Sequence, residues 1–184
     1  MPNLLTYGRI LAIPAIVACL YSSNHLWLWV ALGIYTVAAI TDFLDGYLAR
    51  IWSQHSNLGK MLDPIADKLL VGAVLIMVAA NGTVTGLALI PAIVILSREI
   101  LVSGLREYLG QMNLSVPVSN LAKWKTTVQL IALGFLIVGP AGNALISWSS
   151  TAGIVLLWLA ALLTFWTGYD YVRAGIGHLV AADK

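Results

Sequence analysis

The chain has 184 residues, of which 60% are apolar and only 10% charged, with a net charge of +2. Soluble domains carry about 25% charged residues, so the composition excludes an ordinary soluble globule and fits an all-α, polytopic membrane protein. The small net charge gives no footprint for nucleic acid, and the single cysteine, Cys19, excludes an intrachain disulfide and reads as a small buried hydrophobe.

The length fits a single domain over 1–184. The N-terminal stretch Met1-Pro2-Asn3-Leu4-Leu5-Thr6 has neither a basic region nor a small-residue cleavage site, so the first span is expected to be retained. Charges are absent from Ile10 to Thr41, from Leu69 to Ser97 and from Thr126 to Tyr169. About 20 apolar residues cross a bilayer as a helix. The first run, broken at Ser22-Ser23-Asn24-His25, predicts helices near 4–21 and 26–51. The second, broken at Asn81-Gly82-Thr83, predicts helices near 60–80 and 84–109. The third, broken at Gly139-Pro140-Ala141-Gly142-Asn143, predicts helices near 120–138 and 147–174. Six transmembrane helices in three hairpins follow. Pro14 and Pro91 fall inside spans and are expected to kink the first and fourth.

None of the three hairpin turns carries Lys or Arg, whereas Arg9, Arg50, Lys60, Lys68, Arg98, Arg106, Lys123, Lys125 and Arg173 lie at the opposite helix ends. The positive-inside rule then puts those ends, and both termini, in the cytoplasm. Trp27 and Trp148 near the outer turns, and Trp52 and Trp124 near the inner ends, sit where interfacial anchors are expected.

Four of the eight acidic residues lie between Asp42 and Asp67. A carboxylate near the hydrocarbon core costs about 2.5–3.5 kcal/mol, so such a group needs a compensating ligand. Asp42 and Asp45 are i, i+3 at the end of the second span, and Asp63 and Asp67 are i, i+4 at the start of the third, each pair on one helix face. The short connection lets the two faces confront each other. Hard oxygen ligands suit Mg²⁺ or Mn²⁺ rather than zinc, and two such ions about 3.5–4 Å apart would clamp a transferring phosphoryl group. Gly46 and Ala49 leave a slot beside this face for a nucleotide, with Arg50 at its edge to hold a phosphate. Interhelical salt bridges are the plainer reading, but Arg50, Lys60 and Lys68 give three cations for four acids, and the small residues are then unexplained.

The pattern Asp42-x₂-Asp45-Gly46-x₂-Ala49-Arg50-x₈-Gly59-x₃-Asp63-x₃-Asp67 resembles the signature of the CDP-alcohol phosphatidyltransferases, with every fixed position present. The resemblance implies six transmembrane helices, a homodimer, and a cytoplasm-facing site with two divalent cations, Mg²⁺ or Mn²⁺. There an alcohol displaces CMP from a CDP-linked lipid. Position by position, it implies Asp42, Asp45 and Asp63 as metal ligands and Asp67 as both ligand and general base. It implies Gly46, Ala49 and Arg50 as holders of the cytidine diphosphate, with Gly59 in the same lipid-binding set. Asn3 and Thr6, in Pro2-Asn3-Leu4-Leu5-Thr6-x₂-Arg9, resemble family residues that approach the nucleotide; helix capping is the alternative for both.

Arg98, Arg106, Lys123 and Lys125 form a basic cluster that a phosphorylated acceptor would need, although anchoring and neighbouring Arg–Glu pairs account for part of it. Lys123 and Lys125 cannot both face one direction on a helix. Lys60 serves either a phosphate or the interface. The combination Arg98-Glu99-Ile100, Leu105-Arg106-Glu107 and Lys123-Trp124-Lys125-Thr126-Thr127 resembles the bacterial branch of the family whose acceptor is glycerol 3-phosphate. The implied reaction takes CDP-diacylglycerol and sn-glycerol 3-phosphate to phosphatidylglycerophosphate and CMP, at the cytoplasmic face of the cell's inner membrane. Serine, inositol phosphate and phosphatidylglycerol are the rival acceptors. From another class, a small cation transporter would hold its ions near the bilayer midplane, whereas these acids lie at helix ends.

Overall fold

The computed structural model describes the backbone at 2–22, 24–52, 57–112 and 120–182, and side chains at 6–22, 24–42, 61–112, 121 and 124–176. Among the described residues the chain forms six α-helices, one 3-10 turn and no strand. The helices are α1 (Pro2–Tyr21), α2 (His25–Trp52), α3 (Asn57–Ala80), α4 (Leu89–Gln111), α5 (Asn120–Leu145) and α6 (Ser149–Ala182), with the 3-10 turn at Gly86–Ala88.

The breaks follow from side-chain and backbone chemistry. Asn24 precedes α2, and its Oδ1 accepts the Leu26 N–H at 3.0 Å, which satisfies one of the four orphan donors of the helix start. After α3, Asn81 Oδ1 accepts the Thr83 N–H and Gly82 takes a positive φ of 80°. The 3-10 turn delays α4 until Leu89, so Pro91 falls in the first turn, where its missing N–H costs nothing. It therefore does not act as the interior kink that the sequence suggested.

The stretch from Gly139 to Asn143 also departs from expectation. Gly139 breaks the helix with φ 38° and ψ −115°, but Pro140 then restarts it and α5 runs on to Leu145. Proline is preset for a first helical position. The reversal comes at Ile146–Trp148, and Asn143 Oδ1 accepts the Ser150 N–H at the start of α6.

Each helix buries one stripe at 3–4-residue spacing. In α2 it is Leu28, Ala31, Tyr35 and Ala38; in α3, Ala66, Leu70, Val74 and Val78; in α5, Ala132, Leu133 and Leu136. α1 packs on α2 and α3, α5 on α2 and α6, and α4 mainly on α6. The stripes change character along their length. Continued by a turn or two, α1 reaches Arg9 and Thr6, α2 reaches Asp42, α3 reaches Asp63, and α5 reaches Gln129 and Lys125. One end of the bundle therefore has an apolar interior and the other a polar one. α6 closes on its neighbours through glycines: a Cβ at Gly168 would lie 2.9 Å from Arg98 Cγ, and one at Gly175 3.1 Å from Leu105 Cδ2.

The outside of the bundle is apolar, with Ile76, Ile93, Leu101, Leu162, Phe165 and Trp166 all exposed. Four helical stretches are long and apolar enough to cross a membrane: His25–Asp42, Gly86–Gln111, Trp124–Leu145 and Ser149–Ile176. The apolar stretch of α1, Thr6–Tyr21, is shorter. α3 is long but carries Lys60, Asp63, Asp67 and Lys68 in its first half. The charges of the site thus lie within a helix expected from the sequence to be a span.

Gly139→Ala is expected to lower stability by about 1–3 kcal/mol through backbone strain, aggravated by Thr83, whose Oγ1 would lie 3.1 Å from the new Cβ. Gly104→Ala, in open helical surroundings, should instead gain about 0.5–1 kcal/mol. Thermal unfolding of both variants in one detergent checks the contrast.

Candidate active site

α1 reaches the acidic residues of two other helices. Thr6 and Arg9 are three residues apart on its inward face, and both are 2% exposed. Arg9 Nη1 lies 2.7 Å from Asp42 Oδ1 on α2. The Thr6 hydroxyl donates to Asp63 Oδ1 on α3 at 2.5 Å. Thr6 lies in the second turn of α1, past the capping positions, so the capping alternative does not apply. The negative charges of Asp42 and Asp63 act on each other, as do those of Asp42 and Asp67. Arg9 acts on Asp67 as well as on Asp42. In the sequence Arg9 counted only among the basic residues that set orientation. The motif could have marked it, since it follows Thr6 by one turn.

A second charged group lies within electrostatic reach of Asp67. Glu99 on α4 acts on Asp67, forms an ion pair with buried Lys125 on α5, and lies 3.8 Å from Arg98 Nη1. Lys125 is turned inward. Arg98 lies with its stem against Gly168, which has no side chain to obstruct it. Among the described residues, Arg98 Nε, Gln129 Oε1 and Thr164 Oγ1 are buried without hydrogen-bond partners. Arg106 is exposed, two turns along α4, with its guanidinium 5.6 Å from the Tyr171 ring centroid. Lys68 Nζ donates to the Pro64 carbonyl at 2.9 Å. Sequence reasoning missed Glu99 as the centre of this group and Gly168 as its support.

Asn3, Asp45, Gly46, Ala49, Arg50, Gly59, Lys60 and Lys123 lie outside the described side chains. Among the described residues, no three acidic, His or Cys side chains form a group that would hold a metal ion. The donor chemistry of Asp42, Asp63 and Asp67 nonetheless suits a hard divalent cation, since such an ion relieves the repulsion among them.

Between α1 and α2 lies an open apolar cavity of about 720 Å³, lined by Gly8, Ala12, Gly33, Ile34 and Val37 among others. It begins at Arg9 and Thr41, beside the acidic group, and extends to Val30. Thr41 lies eleven helical steps beyond Val30, a length of roughly 16 Å.

Residues 1–166 match the CDP-alcohol phosphatidyltransferase family, and the chain belongs to it. Its relatives carry a more particular name. A Rickettsia felis protein called CDP-diacylglycerol–glycerol-3-phosphate 3-phosphatidyltransferase is 47% identical over 174 residues, covering 95% of this chain and 94% of its own. Proteins of the same name from Rickettsia typhi and Haemophilus influenzae are 48% identical over 174 residues and 37% over 182. The matches cover 95% and 98% of this chain and 96% and 95% of theirs.

Lys125→Met removes the closer of the two ion pairs of Glu99 and leaves Arg98 at 3.8 Å; it is expected to cost about 1–3 kcal/mol. Arg106→Ala removes an exposed cation–π contact and should cost no more than about 1 kcal/mol. Melting of the two purified variants in detergent separates the inward cation from the outward one.

Proposed function

We propose that this chain transfers the phosphatidyl group of CDP-diacylglycerol to sn-glycerol 3-phosphate, giving phosphatidylglycerophosphate and CMP, a step of phospholipid biosynthesis. The observation that carries the reading is the juxtaposition around Asp67. The charges of Asp42 and Glu99 both act on Asp67, and Glu99 in turn pairs with Lys125 and Arg98. Arg98 Nε has no partner among the described residues, so it is a buried cationic donor suited to an anion. Serine or a neutral polyol would bring no phosphate to Arg98 Nε.

In this reading Asp42, Asp45, Asp63 and Asp67 are the ligands of two divalent cations, Mg²⁺ or Mn²⁺. Bound there, such ions would neutralise the diphosphate and stabilise the charge that develops on the leaving group. Asn3, Thr6, Gly46, Ala49, Arg50 and Gly59 line the CDP-lipid site. Lys60, Arg98, Arg106, Lys123 and Lys125 are the candidates for the acceptor phosphate, with Arg98 and Lys125 joined through Glu99. The acceptor's free hydroxyl oxygen attacks the β-phosphorus while its proton passes to the Asp67 carboxylate. The bond from the β-phosphorus to the bridging oxygen breaks, and CMP departs with that oxygen, steadied by Arg50. One acyl chain lies in the α1–α2 cavity, which leads from the acids along the apolar length of both helices.

The same reading makes the chain one domain over 1–184, with α1 and α3 as spans alongside the four longer apolar stretches. Both termini and the site then face the cytoplasm, the protein sits in the inner membrane, and it works as a homodimer. The charge-free hairpin turns and the apolar exterior support this placement.

Purified protein given CDP-diacylglycerol and Mg²⁺ or Mn²⁺ is expected to release CMP with glycerol 3-phosphate and not with serine, inositol phosphate or phosphatidylglycerol. Release with another acceptor alone would overturn the acceptor assignment and leave the transfer chemistry in place. Asp67→Asn should lower turnover about 10²-fold or more in protein that still binds CDP-lipid. Gly33→Leu, which fills the cavity, should raise KM for CDP-diacylglycerol and leave KM for glycerol 3-phosphate unchanged.

A further inference from the structure

The Arg9 side chain is 1% exposed and ion-paired with Asp42, and its charge also acts on Asp67 one helix away. An arginine keeps its charge in any protein environment. Buried here, it is a permanent positive charge inside the acidic group. Thr6, one turn earlier on the same face of α1, fixes Asp63. α1 therefore touches the carboxylates of α2 and α3 with a cation and a hydroxyl.

We infer that Arg9 is a positioning residue and a built-in counter-ion of the acidic site. It holds Asp42 in place and offsets part of the carboxylate repulsion, so the bundle closes before a divalent ion enters. The inference rests on the proposed reading of these acids as metal ligands. Without the Arg9 charge, closure of this end of the bundle would depend on the divalent ion.

The test is thermal unfolding of the full chain in detergent, in EDTA and then with Mg²⁺ or Mn²⁺ as the only additive, with no lipid substrate or acceptor. Arg9→Gln should melt about 10 °C below wild type in EDTA. The ion should restore much of that loss, giving Arg9→Gln a larger ion-induced rise than wild type. Arg9→Lys, which keeps the charge, should show the wild-type rise. Equal rises in Arg9→Gln and wild type overturn the inference while leaving the metal reading intact. No rise in wild type with either ion overturns the metal reading, and the inference with it.

If Arg9→Gln does not accumulate as folded protein, the double variant Arg9→Gln/Asp42→Asn carries the test. Removing the carboxylate that lost its partner should restore folding in EDTA. A double variant no better folded than Arg9→Gln overturns the inference.

Discussion

Carboxylates on the inward stripes of α2 and α3 repel one another across the bundle, and the neighbouring helices are arranged around that repulsion. Unpaired charges in a weakly polar interior are among the costliest features a fold can contain. Here the described acids of α2 and α3 are met by groups of α1, and Asp67 also by its neighbour Lys68. Asp42 meets Arg9, Asp63 meets Thr6, and Asp67 lies within the field of Arg9 and Lys68. The apolar halves of the same stripes supply the packing that holds these groups in register. Ala66, Val74 and Val78 are fully buried on the helix face that begins with Asp63.

The basic group around Glu99 is built in the same way with the signs reversed. Glu99 sits between Lys125 and Arg98 and keeps two cations close together that would otherwise repel. A site that combines acids with gathered cations suits a reaction between two phosphate-bearing molecules. One needs its diphosphate neutralised, and the other needs its phosphate held while its hydroxyl attacks. The family to which the chain belongs performs transfers of this general kind, and the arrangement gives that chemistry a physical basis in named side chains.

Much of this was legible in the sequence, for identifiable reasons. Asn24, Asn81 and Gly82 marked helix ends because their side chains and backbone freedom favour turns. Asp63 and Asp67 lay on one face by spacing alone. Gly139-Pro140 misled because a proline that would end one helix is equally suited to start the next, and here it does. Arg9, Glu99 and Gly168 were not legible as parts of the site. Their partners lie on other helices, and which residues meet depends on how α1, α4 and α6 rotate and how closely they approach. Helices apolar on nearly every side give little periodic signal for that rotation. Spacing showed only that Lys123 and Lys125 cannot share a direction, whereas the burial of Lys125 depends on how α5 is rotated in the bundle.

The glycine contacts of α6 bear on where Arg98 can reach. The family match ends at residue 166, two residues before the glycine against which Arg98 rests. Gly168 and Gly175 bring α6 close against α4, and α4 carries both Arg98 and Glu99. The reach of the Arg98 side chain is thus set partly by how closely α6 approaches α4. A larger residue at 168 would push the arginine stem aside without altering any carboxylate. The cations around Glu99 can in this way be shifted independently of the acids on α2 and α3.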